Sequence, residues 1–86
     1  MNNERRKALS KLSGEVRELA GKLEDLKSQL EELKGEEEEY RDNMPENLHG
    51  GDKYAVADAA VNALDSAIDG MPDLEEVAGY IDQAAE

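Results

Sequence analysis

One segment of the sequence has the acid spacing of a calcium-binding loop. From Asp65 to Glu76, carboxylates occupy the first, fifth, ninth and twelfth positions and glycine the sixth, as in loops that ligate Ca²⁺. The third position is Ala67, which removes a ligand, and the eighth is Pro72, which has no backbone N–H. A glycine cap, a proline break and an aspartate N-cap explain these residues without a metal. We therefore predict no metal site; the weak calcium-loop-like set is Asp65, Asp69, Asp73 and Glu76.

Catalysis and cofactor binding have little support elsewhere in the sequence. Glu36–Glu39 is the densest carboxylate group, but consecutive helical residues point about 100° apart, so these acids fan outward. The only histidine, His49, lies in a predicted turn, and no cysteine is present to act as nucleophile or zinc ligand. Perturbed titrating groups need a pocket, and a thin helical chain without Phe or Trp has little volume for one. We predict that the protein is not an enzyme and binds no cofactor.

Proline, glycine and aspartate divide the sequence into helices. Pro45 ends the first helix, Asp52 is the expected N-cap of the second, and Gly70 is expected to end it in the left-handed conformation. Asp73 then begins the third helix, as in a capping box. The sequence therefore predicts an all-α fold, an antiparallel helical hairpin with helix 1 packed on helices 2 and 3. The predicted ranges are 3–41 for helix 1, 42–51 for the turn, 52–69 for helix 2 and 74–85 for helix 3, within one domain of residues 1–86.

Helix 1 has the heptad pattern of a coiled coil. Ten positions follow one another at alternating spacings of three and four residues, and eight of them are Leu or Val. With Leu9 at heptad position a and Leu12 at position d, this seam predicts that helix 1 lies along another helix in a coiled-coil-like arrangement. The ten positions are Leu9, Leu12, Val16, Leu19, Leu23, Leu26, Leu30, Leu33, Glu37 and Tyr40.

Helix 2 has a wider apolar face than a two-helix hairpin needs. Its first apolar row is Tyr54, Ala57, Val61, Leu64, Ile68 and Met71, and a second row beside it is Val56, Ala60, Ala63 and Ala67. Together the rows cover about half of the circumference, whereas a coiled-coil seam covers two positions in seven. Such a helix contacts two neighbours, so we expect a homo-oligomer, with two copies forming a bundle. A third helix of the monomer or a partner protein would also cover this face.

Three glycines recur on the side of helix 1 opposite the seam. A glycine inside a helix costs about 1 kcal/mol relative to alanine, so their recurrence requires a reason. One reason is a groove in which another backbone approaches closely; the other is that a helix with a long leucine seam tolerates exposed glycines. The predicted close-packing stripe is Gly14, Gly21, Ser28 and Gly35.

The net charge of −12 is unevenly distributed along the chain. Residues 1–41 contain 11 acids and 9 bases, and residues 42–86 contain 11 acids and only Lys53, so the net charges are −2 and −10. Such a field repels nucleic acid and membranes and attracts basic protein surfaces. We expect no direct nucleic-acid or membrane binding. Without a secretory signal, cysteine or an apolar run of about 20 residues, the sequence predicts a cytoplasmic protein.

The turn is the most distinctive segment of the sequence. Residues 39–48 read Glu-Tyr-Arg-Asp-Asn-Met-Pro-Glu-Asn-Leu and follow a helix that begins with Arg5-Arg6-Lys7-x-Leu9 and ends Glu-rich. In these segments the chain resembles small uncharacterised acidic helical-hairpin proteins of gut Firmicutes and Actinobacteria, their phages and mobile elements. It departs from them at Gly70-Met-Pro72, where their second arm continues as helix. The resemblance implies no catalytic residues. It implies a bacterial host cell, in which small acidic phage proteins bind and block defence proteins.

Two classes of function fit these observations. The first is a non-enzymatic, protein-binding inhibitor that occludes the basic surface of a host nucleic-acid-binding defence system, as an anti-CRISPR or anti-restriction protein. The second is a structural coiled-coil module whose only role is oligomerisation, and capture of a small ligand between protomers is a third possibility. In the first, carboxylates of helices 2 and 3 replace phosphates on a protein partner with a basic surface. The predicted partner-binding acids are Asp58, Asp65, Asp69, Asp73, Glu76 and Asp82.

Overall fold

The computed structural model describes residues 2–86, which are all-α and about 85% helical and contain no strand in that range. The prediction of an all-α fold is therefore confirmed. Helix α1 is uninterrupted although it contains three glycines, because its long apolar rows favour helix throughout. The α-helices are α1 (Asn3–Asp42), α2 (Asp52–Asp69) and α3 (Leu74–Ala84), and a 3-10 turn forms at Glu46–Leu48.

The chain divides into two compact units, and α1 contributes to both of them. The first unit joins the described residues up to Asp25 with Pro72–Glu86, so it contains the N-terminal part of α1 together with α3. The second unit is Leu26–Met71, which contains the C-terminal part of α1 together with α2. Within each unit the side-chain contacts run in opposite directions along the two helices, so each pair packs antiparallel.

The ends of α2 differ from the sequence prediction. Its N-cap is Gly51 in an extended conformation, and Asp52 is the first helical residue. At that position the negative charge of Asp52 interacts favourably with the positive end of the helix dipole. The prediction that Asp52 is the N-cap is wrong. Gly70 is right-handed, with φ −79° and ψ −7°, so the prediction of a left-handed cap is also wrong. A Cβ at Gly70 would lie 3.3 Å from the Ser66 carbonyl oxygen, a crowding that glycine avoids.

The beginning of α3 follows the prediction. Asp73 is its N-cap, and the Asp73 carboxylate accepts a hydrogen bond from the Glu76 backbone N–H at 3.2 Å. In the second unit, the turn between α1 and α2 is held by His49, whose ring stacks on Tyr54 with centroids 4.5 Å apart. The His49 ring also forms a hydrogen bond with the Met44 carbonyl oxygen.

The seam of α1 divides into a half-buried row and an exposed row. The a positions from Leu9 to Glu37 are half-buried, together with neighbouring e positions such as Ala20 and Lys34. The d positions are exposed instead, with between 45% and 57% of each residue accessible. Within its own chain, α1 therefore packs through its a and e positions. We call the exposed residues the d row: Leu12, Leu19, Leu26, Leu33 and Tyr40.

The second apolar row of α2 is also largely uncovered. Ala57, Val61 and Ile68 of the first row are buried. In the second row, Val56 is 69% exposed, Ala63 and Ala67 are exposed and Ala60 is half-buried. Within the second unit, then, α1 covers only about half of the apolar face of α2. The uncovered half is the additional apolar surface that the sequence predicts.

The buried core is small. Among residues 2–86, the buried positions are Ser13 of α1, three residues of α2 and Ala78 of α3. Ser13 and Ala78 are small, and the Ser13 hydroxyl lies 3.4 Å from the Ala78 carbonyl oxygen, so α1 and α3 approach each other closely there. A core of this size leaves apolar surface available for contacts outside the chain.

Candidate interaction surface

In the second unit, ion pairs occupy one side of the contact between α1 and α2. Lys34 Nζ lies 2.7 Å from Asp65 Oδ1, and Arg41 Nη1 lies 2.9 Å from Asp58 Oδ1. The hydrogen bond to Asp65 raises the pKa of Lys34 above its ordinary value. These side chains retain solvent contact, so screening keeps their stabilisation modest. Their main effect is to fix the direction and register of the two helices.

The opposite side of the same unit is apolar. A concavity of about 260 Å³ is lined by Tyr40 of the d row and by Lys53 and Val56 of α2, which places Tyr40 and Val56 on one side. A second concavity of about 420 Å³ adjoins Tyr40 and extends to Met44 and Leu48. Residues four, seven and eleven positions after Val56 lie on its stripe of α2 because of the helical repeat. We call this surface the apolar face: Leu26, Leu33, Tyr40, Val56, Ala60, Ala63 and Ala67.

In the first unit, a polar cluster joins α1 to α3. Ser13 Oγ donates to Asp82 Oδ1 at 2.5 Å, and Arg17 donates to Asp82 Oδ2 at 2.6 Å and to Ser13 Oγ at 2.9 Å. Arg17 Nε also lies 3.4 Å from a Glu75 carboxylate oxygen. The hydrogen bond from Arg17, and then that from Ser13, holds the pKa of Asp82 below its ordinary value. Ser13 is buried and its hydroxyl donates to the Asp82 carboxylate, which is itself paired with Arg17, so the cluster links α1 to α3.

The acid stability of the protein should depend on this cluster. Because the folded pKa of Asp82 is lowered, its carboxylate stabilises the fold above the ordinary aspartate pKa of about 3.9. That stabilisation is lost as the pH falls through the lower, folded pKa. We expect Asp82→Asn to melt at a lower temperature than the unmodified protein at pH 7, and we expect this difference to shrink as the pH falls to 2. Thermal circular dichroism across this range measures the difference, with Asp69→Asn as control. An Asp82→Asn deficit of equal size at both pH values would contradict the assignment.

The first unit also exposes apolar residues on the side away from its polar cluster. Leu12 and Leu19 belong to the d row. The half-buried a positions of α1 lie between this row and the side that holds Arg17. On α3, Val77 is 42% exposed and points away from the side on which Asp82 contacts α1. Taken separately, each unit therefore has a charged side and an apolar side.

The predicted partner-binding acids are mostly engaged within the chain. Asp58, Asp65 and Asp82 form the ion pairs with Arg41, Lys34 and Arg17. Among the other three, Asp73 caps α3, Glu76 accepts a hydrogen bond from the Tyr80 hydroxyl at 3.4 Å, and Asp69 has no ion pair within residues 2–86. In that same range, no group of three His, Cys, Asp or Glu residues is arranged to hold a metal ion.

The predicted close-packing stripe of α1 is open. Gly14, Gly21 and Gly35 are exposed, and a Cβ built on any of them would meet nothing within 4 Å among the described residues. Ser28 is exposed as well. Among residues 2–86, no backbone approaches this stripe closely.

The e positions of α1 form contacts that the a/d heptad pattern did not predict. Ser13, Lys34 and Arg41 occupy these positions and contact acids of the other helices. The signal that could have identified them is a heptad row of small or basic residues beside the a positions. Its members are Arg6, Ser13, Ala20, Lys27, Lys34 and Arg41, all of them buried or half-buried.

No family model, curated protein or solved structure matches this chain. Among the helices of the described residues, none combines the length and the apolar character that crossing a bilayer requires.

Proposed function

We propose that this protein is a non-enzymatic protein-binding module that acts by helix packing, and that it self-associates through the apolar sides of its two units. The observation on which this proposal depends is the exposed d row. Single exposed leucines are ordinary on a protein surface. Five large apolar residues at regular heptad spacing are not, because that spacing matches the packing of one helix against another.

The apolar row of α2 supports the same proposal. In the second unit it lies on the same side as Tyr40, so two copies packed through these faces would bury both rows and form a helical bundle. A chain of 86 residues with a small core gains most from such an assembly, because a single core of that size provides little stability. The expected product is a coiled-coil-like homodimer.

Two glutamates placed in the d row should abolish this association. In Leu19→Glu/Leu33→Glu, each site loses apolar burial and would place a carboxylate in the interface, at a cost of at least about 1.4 kcal/mol per site. Together the two changes should weaken self-association by about a hundredfold or more. Both positions are exposed in the chain, so circular dichroism should show unchanged helix content. Sedimentation equilibrium measures the association.

The matched control adds the same two charges on the outer side of α1. Ser10 and Ser28 are exposed and lie away from the d row, so Ser10→Glu/Ser28→Glu should associate like the unmodified protein. Equal weakening of the two variants would assign the effect to net charge and count against the apolar face. Association unaffected by either variant would place the interface elsewhere.

A second candidate function is supported by the excess of acids and by the resemblance to phage and mobile-element proteins. Residues 42–86 contain 11 acids and one base, a composition suited to occluding a basic surface of a host nucleic-acid-binding defence protein in the bacterial cytoplasm. Asp58 and Asp65 are poor tests of this function, because their replacement would also break ion pairs with α1. Asp69→Asn removes an acid without that effect. Binding through acids should be lost above about 0.3 M salt, whereas binding through the apolar face should persist.

A further inference from the structure

We infer that the partner on the apolar sides is a second copy of this chain, packed antiparallel with α1 against α1, so that Leu12 of each copy enters the concavity beside Tyr40 of the other. This inference rests on the proposed function and names the partner and its orientation. Three observations support it: the symmetry of the d row, the charges at the two ends of α1, and the concavities at Tyr40.

The d row is symmetric about its middle residue. Leu19 and Leu33 lie seven residues on either side of Leu26, and Leu12 and Tyr40 lie fourteen residues away. In a two-fold interface each contact occurs twice with the roles of the copies exchanged. An antiparallel pair centred on Leu26 therefore matches every d residue with a d residue of the other copy, and Leu12 with Tyr40.

The ends of α1 contain charges of opposite sign, and many of them form no ion pair among the described residues. The N-terminal end holds four bases, Arg5, Arg6, Lys7 and Lys11, and the C-terminal end and turn hold the acids Glu36, Glu37, Glu39 and Glu46. None of these residues belongs to an ion pair among the described residues. A parallel dimer would place base beside base and acid beside acid. Centred on Leu26, the antiparallel dimer places residues 5–11 level with residues 41–47, so the basic end of each copy lies near the acidic end of the other and the overall charge of the two ends favours that orientation.

The concavities at Tyr40 provide a place for an apolar side chain. Tyr40 and Val56 line the smaller one, of about 260 Å³, and Tyr40, Met44 and Leu48 line the larger one, of about 420 Å³. Either is large enough for a leucine side chain. In the symmetric pairing, Leu12 of one copy lies beside the concavities at Tyr40 of the other, and Leu12 is itself 50% exposed. Leu12 of each copy therefore covers apolar surface at Tyr40 of the other.

Cysteine cross-linking tests the orientation, because the chain has no native cysteine. Leu12→Cys and Tyr40→Cys are made as separate variants and oxidised alone and as an equal mixture. We expect a disulfide-linked dimer in the mixture that contains one chain of each kind, and at least tenfold less in either variant alone. Leu26→Cys should link to itself in the antiparallel pair, and exposed Ser28→Cys should not. Leu19→Cys with Leu33→Cys repeats the test at a second pair of positions.

The outcomes separate the orientation from the proposed function. Self-linking of Leu12→Cys and of Tyr40→Cys would show a parallel dimer and overturn the inference. Absence of mixed linking at both pairs, in variants that circular dichroism shows to be helical and sedimentation shows to be dimeric, would also overturn it and leave the proposed function standing. A monomeric mass for the unmodified protein would overturn both.

Discussion

Replacing Val61 by aspartate should unfold the second unit, whereas the same replacement at Val56 should leave its helices intact. Both valines belong to α2, but Val61 is 5% exposed and Val56 is 69% exposed. At Val61 the change removes a buried apolar side chain and places an unpaired carboxylate in the core, a cost of several kcal/mol. A small domain has only about 5–15 kcal/mol of stability in total, so the loss is close to complete.

Far-UV circular dichroism and thermal melting of the two variants measure this difference. We expect Val61→Asp to lose much of its helix signal or its cooperative transition at 25 °C, and Val56→Asp to keep the helix signal of the unmodified protein. Because Val56 belongs to the apolar face, its variant should also self-associate more weakly. Two variants with the same melting temperature would mean that α2 does not bury the side observed to contact α1.

Replacing the three exposed glycines of α1 by alanine should stabilise the protein. Gly14, Gly21 and Gly35 lie inside a helix, and a Cβ at each would meet no atom of residues 2–86 within 4 Å. Each change should gain about 0.5–1 kcal/mol from the helix propensity of alanine. For a domain of this size, a total of about 2 kcal/mol corresponds to a rise in melting temperature of about 8 °C or more.

A fourth glycine provides the control for this experiment. Gly70 ends α2, and a Cβ there would lie 3.3 Å from the Ser66 carbonyl oxygen, so Gly70→Ala should bring no comparable gain. If the triple variant is instead less stable than the unmodified protein, or loses self-association, another backbone occupies the stripe in the assembled protein. That result would favour the close-packing interpretation of the stripe over the apolar face.

Hydrophobic periodicity was sufficient to predict the helical class, but it could not determine which side of α1 faces its own chain. The a positions hold three leucines and a valine and the d positions hold four leucines and a tyrosine, so packing through either neighbouring side of the seam buries similar residues. The structure distinguishes them through side chains outside the apolar pattern. Lys34 and Arg41 reach acids of α2, and Ser13 permits close approach to Ala78. These contacts depend on the register between distant segments, which a one-dimensional pattern does not contain.

Contacts between distant segments were also missing from the prediction of the partner-binding acids. The sequence showed that acids dominate residues 42–86, and it could not show that Asp58, Asp65 and Asp82 are paired with bases of α1. The cap at Asp73 was predictable because a capping box is local in sequence. The right-handed cap at Gly70 was not, because glycine permits the left-handed conformation without requiring it.

Sedimentation equilibrium of the unmodified protein tests the central proposal most directly. The apolar sides of the two units should be buried by self-association, so the mass should rise with concentration, from about 1 μM to about 1 mM, towards twice the 9.5 kDa of the chain. The association should persist between about 0.05 and 0.5 M salt, because it depends on apolar burial more than on surface charge. A mass of 9.5 kDa at every concentration and salt level would contradict the proposal.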